Sequence, residues 1–286
     1  MKRFVKIYTY WLLGILLFTG CDDYLKEDSG DLLIPGKVEE FLPMLYREGF
    51  PRNFNDEVAW LYLMTDDVEM GQLELDPEDE SYETQDKNSL DALSAGEGEE
   101  PYKWEREIKN YADNFWERRY GNILACNLVI DALPEMKYVE TDSGVYNFLA
   151  AQAYALRAYN YWCLVNSYAL PWSKENLDKP GVIIRMEPQI NISPRGRSSI
   201  RDVYDLINED IEKAEKYINV ATFDGNIHRL SEPAILLLAS RIALFQENWD
   251  EVIRTGKLFL AQNSVILNLN DQDTTLFGTE KGLSNK

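Results

Sequence analysis

The side chains able to do chemistry are unevenly supplied: three cysteines, one histidine and 49 carboxylates in 286 residues. The lone histidine, His228, leaves no Cys/His set for zinc and no evident general base. Carboxylates alone can run acid–base catalysis, and a glycosidase would hold two of them roughly 5 to 9.5 Å apart. No such pair stands out from the acidic background, so the chain is not expected to be an enzyme. Hard cations want oxygen ligands, and residues 66–100 carry 14 acidic side chains against one basic. They contain no Asp-x-Asp-x-Asp-Gly loop with Glu in its twelfth place. No metal and no cofactor is therefore expected, and the segment reads as a long solvated loop.

Cys21 is a different case. Lys2, Arg3 and Lys6 precede an uncharged run over residues 7–18, which then meets Thr19, Gly20, Cys21 and two aspartates. Twelve residues are too few to cross a bilayer as a helix, which takes about 20. A basic start, a short apolar run and a small residue at the break describe a secretory signal peptide over residues 1–20. Residues 17–21 resemble the bacterial lipobox, with Phe18 where that pattern favours Leu, Val or Ile. The resemblance implies cleavage before Cys21 and acylation of its thiol, and two or three acyl chains tether a protein stably. Cys126 and Cys163 lie in apolar helical patterns, as two buried thiols or as a helix-to-helix disulfide.

Charge excludes another class. Residues 22–100 hold 24 Asp and Glu against 5 Lys and Arg, which carries most of the net charge of -20. Such a chain will not hold nucleic acid by counterion release.

The elements that must position everything else are helices. Residues 38–46 and 58–64 look helical or buried. Trp104, Ile108, Tyr111 and Phe115 step by four, three and four, and Tyr120, Ile123, Asn127 and Ile130 continue the stripe to Pro134. A second helix spans 145–168, with Leu149, Ala153, Leu156 and Leu164 on one side and Ala151, Ala155 and Ala158 permitting close approach. Two prolines and a glycine then make a long connection with a short extended piece at 182–184. After Ser198 or Ser199 a third helix turns Val203, Leu206, Ile207, Asp210, Ile211, Ala214 and Ile218 inward. Ser231 caps a fourth helix with Pro233 in its first turn; residues 234–245 are apolar nearly all round and read as buried. Asn248 opens a fifth, with Trp249, Val252, Ile253, Gly256 and Leu260 on its inner face.

The last two helices form a hairpin over 234–263, near the length of a tetratricopeptide unit of about 34 residues. One hairpin cannot bury its apolar face alone, and the pair 105–133 and 145–170 is its expected neighbour. The fold class is all-α: tetratricopeptide-like helical hairpins with long irregular loops.

Four stretches, "CDDYLKE", "LRAYNYWCLVNSYALPW", "SIRDVYDLINEDIEKAEKYI" and "HRLSEPAILLLASRIALFQENWDEVI", resemble in this order the SusD/RagB family of Bacteroidota surface lipoproteins. Residues 156–159, 210–214 and 248–252 resemble the family's Leu-Arg-Ala-Tyr, Asp-Leu-x-x-Ala and Asn-Trp-Asp-Glu-Ala elements. The resemblance implies a SusD-like helical domain over 21–286, lacking the family's large C-terminal part. It implies a protein on the outer face of the outer membrane, a lid over a SusC-like TonB-dependent transporter, which captures a glycan, or in some members a peptide. Asp22 and Asp23 resemble the surface-export signal of these bacteria. A tetratricopeptide-like scaffold that binds proteins and no nutrient is the alternative.

A glycan presents C–H faces that stack on aromatic rings and hydroxyls that need amide or carboxylate partners. Trp116, Tyr120, Tyr154, Tyr161 and Trp249 lie on helical stripes and read as core. The candidate ligand contacts are therefore the loop aromatics Tyr82, Tyr102, Trp104 and Trp172, the last with a structural role as its alternative.

Overall fold

The computed structural model describes residues 37–51, 64–65, 102–104, 114–136, 143–189, 193–223 and 225–265, all in one compact unit, Lys37–Lys286. Cys21, most of the apolar piece at 58–64, and the acidic run with Tyr82 lie outside the described residues. Among the described residues there are six α-helices: α1 (Val38–Glu48), α2 (Phe115–Ala132), α3 (Ser143–Tyr168), α4 (Ile200–Ile218), α5 (Glu232–Phe245) and α6 (Trp249–Gln262). No β-strand occurs among the described residues, and the protein is an all-α, tetratricopeptide-like assembly of helical hairpins.

Helix α3 is the centre, with α1, α2, α4 and α5 packed against it. Its run of Ala150, Ala151, Ala153, Ala155 and Ala158 is fully buried, because small side chains let neighbouring helices come close on several sides at once. Helix α2 buries Phe115, Ile123, Cys126 and Val129 toward it and ends in a 3-10 turn, Leu133–Glu135, where Pro134 cannot continue the α pattern. Cys126 and Cys163 are thiols with no disulfide between them. Helix α1 docks through Val38, Phe41 and Leu45. It stops at Gly49, where a Cβ would come within 2.6 Å of Leu45 Cδ1.

All seven residues expected on the inner face of α4 are buried. Its start is fixed by a capping box: the Asp202 N–H donates to Ser199 Oγ at 3.1 Å while the Ser199 N–H donates to Asp202 Oδ2 at 3.2 Å. Ser231 caps α5 and Asn248 caps α6, each accepting from the N–H three residues on.

The structure corrects three expectations. The described helix begins at Phe115, and Trp104 sits in a turn at φ 55° instead of opening the stripe. Helix α5 buries one side only, through Ile235, Leu236, Ala239, Ile242 and Ala243, while Leu237, Leu244 and Phe245 are exposed. On α6 the face toward α5 is Val252, Thr255, Gly256 and Phe259, and Trp249, Ile253 and Leu260 are more than half exposed. The reason is positional: among the described residues α6 packs chiefly on α5, so the stripe that faces α5 is the one covered.

Candidate functional site

Between α3 and α4 the chain turns over residues 174–178 and then runs without helix or strand over residues 181–187. It is closed into a loop where Gly181 N–H donates to the Ser198 carbonyl at 2.7 Å and Ser198 N–H to the Val182 carbonyl at 2.9 Å. Residues 183–187 of this strap lie along α2 and α3, and side chains take the place of a partner strand. Tyr120 Oη donates to the Ile183 carbonyl at 2.7 Å. Tyr161 Oη accepts from Arg185 N–H and donates to the Arg185 carbonyl, both at 2.8 Å. Asn127 Nδ2 donates to the carbonyls of Arg185 and Glu187 at 2.9 and 3.2 Å.

Asn127 is in turn held from the core. Its Oδ1 accepts from Arg157 Nη1 at 2.9 Å, and Arg157 grips Asp210 through two bonds of 2.7 Å, one to each carboxylate oxygen. The pair is almost wholly buried, with side chains 2% and 0% exposed. Burial opposes the charge on Arg157, but the hydrogen bonds and charge of Asp210 outweigh it and hold the guanidinium protonated. Burial pushes the Asp210 carboxyl up against the pull of Arg157. A chain of polar contacts thus runs from α4 through α3 and α2 to the strap.

The strap and α2 enclose a cleft of about 450 Å³. Trp116 and Tyr120, four residues apart on α2, form its aromatic wall with ring centroids 4.9 Å apart. Glu117, Arg185, Glu187 and Gln189 bring carboxylate, guanidinium and amide groups to the same space. Burial pushes the Tyr120 phenol up to about 12, against its hydrogen bond to Ile183 and the charges of Arg185 and Arg197, so it remains a neutral donor. The hydrogen bond from Arg195 holds the Glu187 carboxyl below its usual range, and Glu187 Oε2 has no hydrogen-bond partner among the described residues. Flat apolar surface beside convergent polar groups suits a small ligand that is apolar on one side and hydroxyl-rich on the other.

Of the loop aromatics, Tyr102, Trp104 and Trp172 do not line this cleft, and Tyr82 lies outside the described residues. Tyr102 is half-buried and Trp104, 68% exposed, is two residues away. Trp172 meets the buried Tyr204 ring edge-on at 4.7 Å. Of the aromatics read as core, Tyr161 is fully buried, whereas Trp116 and Tyr120 are half-buried at the cleft. Arg185 and Glu187 were not singled out from sequence, and Arg157 only as part of the Leu-Arg-Ala-Tyr stretch. The available signal was Asn127 and Asp210, polar residues on otherwise apolar stripes, since a buried polar group requires a partner.

Among the described residues no helix is long and apolar enough to cross a membrane, and no group of three or more His, Cys, Asp or Glu is placed to hold a metal ion.

Residues 50–244 match the SusD-like family described as starch-binding and associating with the outer membrane. A SusD-like protein, P38, of Formosa agariphila is 27% identical over 158 residues, 54% of this chain and 27% of that protein. Among solved structures, a SusD-like carbohydrate binding protein from Bacteroides vulgatus superposes with a TM-score of 0.58 at 18% identity, covering 83% of this chain and 47% of that one. Surface glycan-binding protein A from Bacteroides thetaiotaomicron, solved with laminarihexaose, gives 0.54 at 16% identity over 86% of this chain and 46% of that one. The chain therefore spans between about a quarter and a half of the length of these relatives. The family match takes in α2 to α5 together with the strap and its anchors, well over half of the sequence, and this protein belongs to the SusD-like family.

Proposed function

We propose that this protein is a surface lipoprotein of the outer membrane, held through acylated Cys21, that captures a glycan and passes it to a SusC-like TonB-dependent transporter. The observation that carries the reading is the cleft between α2 and the strap, where the Trp116 and Tyr120 rings face Arg185, Glu187 and Gln189. Such a site binds by stacking and hydrogen bonding without bond-making chemistry, and no catalytic step is assigned to it. The neighbour solved with laminarihexaose and a second described as a laminarin binding SusD-like protein, with a TM-score of 0.55, support a sugar as ligand. The family description supports the outer membrane as its place.

The experiment is affinity electrophoresis of the native protein in gels cast with laminarin or with starch. Retardation that weakens when the exposed cleft residues Glu117 and Gln189 are both changed to Ala supports the reading. Mobility unchanged by either polysaccharide would overturn it for glucans.

A further inference from the structure

A second cleft, of about 490 Å³, lies on the other side of α2, between that helix and α1. Its lining repeats the chemistry of the first: the Phe50 ring and Met44 supply apolar surface, and Arg47, Arg118 and Asn122 supply donors. Gly121 and Leu124 line both clefts. The crest of α2 that separates them is the row Glu117, Gly121, Leu124 and Leu128, spaced at four, three and four residues, of which Leu124 is half-buried and the others are exposed. In that row Gly121 is a gap. The side chains on either side of it, Glu117 and Leu124, are seven residues apart, about 10 Å along the axis.

Among the described residues Gly121 has no packing reason to be glycine: a Cβ built there meets none of their atoms within 4 Å. Glycine inside a helix is nevertheless unfavourable relative to alanine, and the residue lies mid-helix, in Phe115–Ala132. The missing side chain leaves the helix backbone open to contact from outside, a common use of glycine where a ligand must approach closely.

We propose that the two clefts are a single groove that crosses α2 at the Gly121 notch and binds a linear oligosaccharide, one stretch on Trp116 and Tyr120 and the other against Phe50. The inference rests on the glycan-capture reading and adds to it a chain length. The groove selects glycans long enough to reach both sides of the helix. Joining two weak contacts through one ligand raises affinity without any new contact.

The test is calorimetric titration of the native protein and of Gly121→Leu and Gly121→Ala with two ladders, β-1,3-glucans and α-1,4-glucans of two to six sugars. In the native protein the hexasaccharide of the ladder that binds should bind at least about tenfold tighter than the disaccharide. Gly121→Leu should abolish that gain. Gly121→Ala, with room for its methyl group, should melt at or above the native temperature and control for folding. Equal affinity for short and long sugars, or a hexasaccharide gain that survives Gly121→Leu, overturns the single groove while leaving capture intact. No binding of any sugar in either ladder overturns glucan capture and the groove together.

Discussion

Tyr161 holds Arg185 from both sides of the same residue: one hydroxyl accepts the Arg185 N–H and donates to the Arg185 carbonyl, each at 2.8 Å. The strap is thereby fixed to α3 without a strand partner, and the Arg185 side chain is held at the cleft wall. Tyr161→Phe keeps the ring in its buried place and removes both bonds. The Arg185 carbonyl retains Asn127, whereas its N–H loses the Tyr161 acceptor, which costs about 1–3 kcal/mol. Urea denaturation should register that loss, and hydrogen exchange at the Arg185 amide should speed up more than exchange within α3.

The Arg157–Asp210 pair behaves asymmetrically under substitution. Removing one partner leaves the other charge buried, so Asp210→Ala should destabilise by about 3–5 kcal/mol. Exchanging both for apolar residues of similar volume, Arg157→Met with Asp210→Leu, should recover most of that loss. Asn127 Oδ1 would then lack its donor, so the double variant should stay folded but with a looser strap. Denaturant midpoints of the native protein, the double variant and its two single variants, Arg157→Met and Asp210→Leu, distinguish this coupling from two independent losses, which would simply add.

The capping box of α4 gives a pH-dependent prediction. Hydrogen bonds from the Ser199 hydroxyl and N–H hold the Asp202 carboxyl below its ordinary value of 3.8. A carboxyl lowered in the folded state contributes stability above its unfolded pKa, and that contribution fades as pH falls through the folded one. Ser199→Ala should cost about 1 kcal/mol at neutral pH. Asp202→Asn should flatten the acid end of the stability profile, and thermal melts between neutral and strongly acidic pH would read both effects.

Most of the fold was legible because helices announce themselves by period. The seven inward residues of α4 and the Ser231 and Asn248 caps all follow from spacing and local chemistry. The faces of α5 and α6 were less legible, since an apolar stripe states what a helix can bury and not whether a neighbour lies over it. Trp249 and Ile253 carry that ambiguity. The residues of the candidate site were harder still. Trp116 and Tyr120 sit on a helical stripe, and only the strap returning from beyond α3 makes their edge of α2 a cleft wall. Arg185 and Glu187 reach that wall through side-chain bonds to their backbone, which leave no pattern in the strap's own sequence.

The anchor yields the last prediction. Two or three acyl chains on Cys21 would hold the protein in a bilayer, each buried methylene contributing about 0.8 kcal/mol, whereas docking on a transporter is a protein contact that alkaline carbonate disrupts. The native protein should therefore stay with the outer membrane through a carbonate wash, and Cys21→Ala should be released or remain uncleaved. Gentle detergent extraction of the native protein should bring with it a large TonB-dependent barrel in near-equal amount. If Cys21→Ala resists carbonate as the native protein does, the lipid is not the anchor. If the native protein is acylated but brings no barrel, capture by this chain is not coupled to transport through that partner.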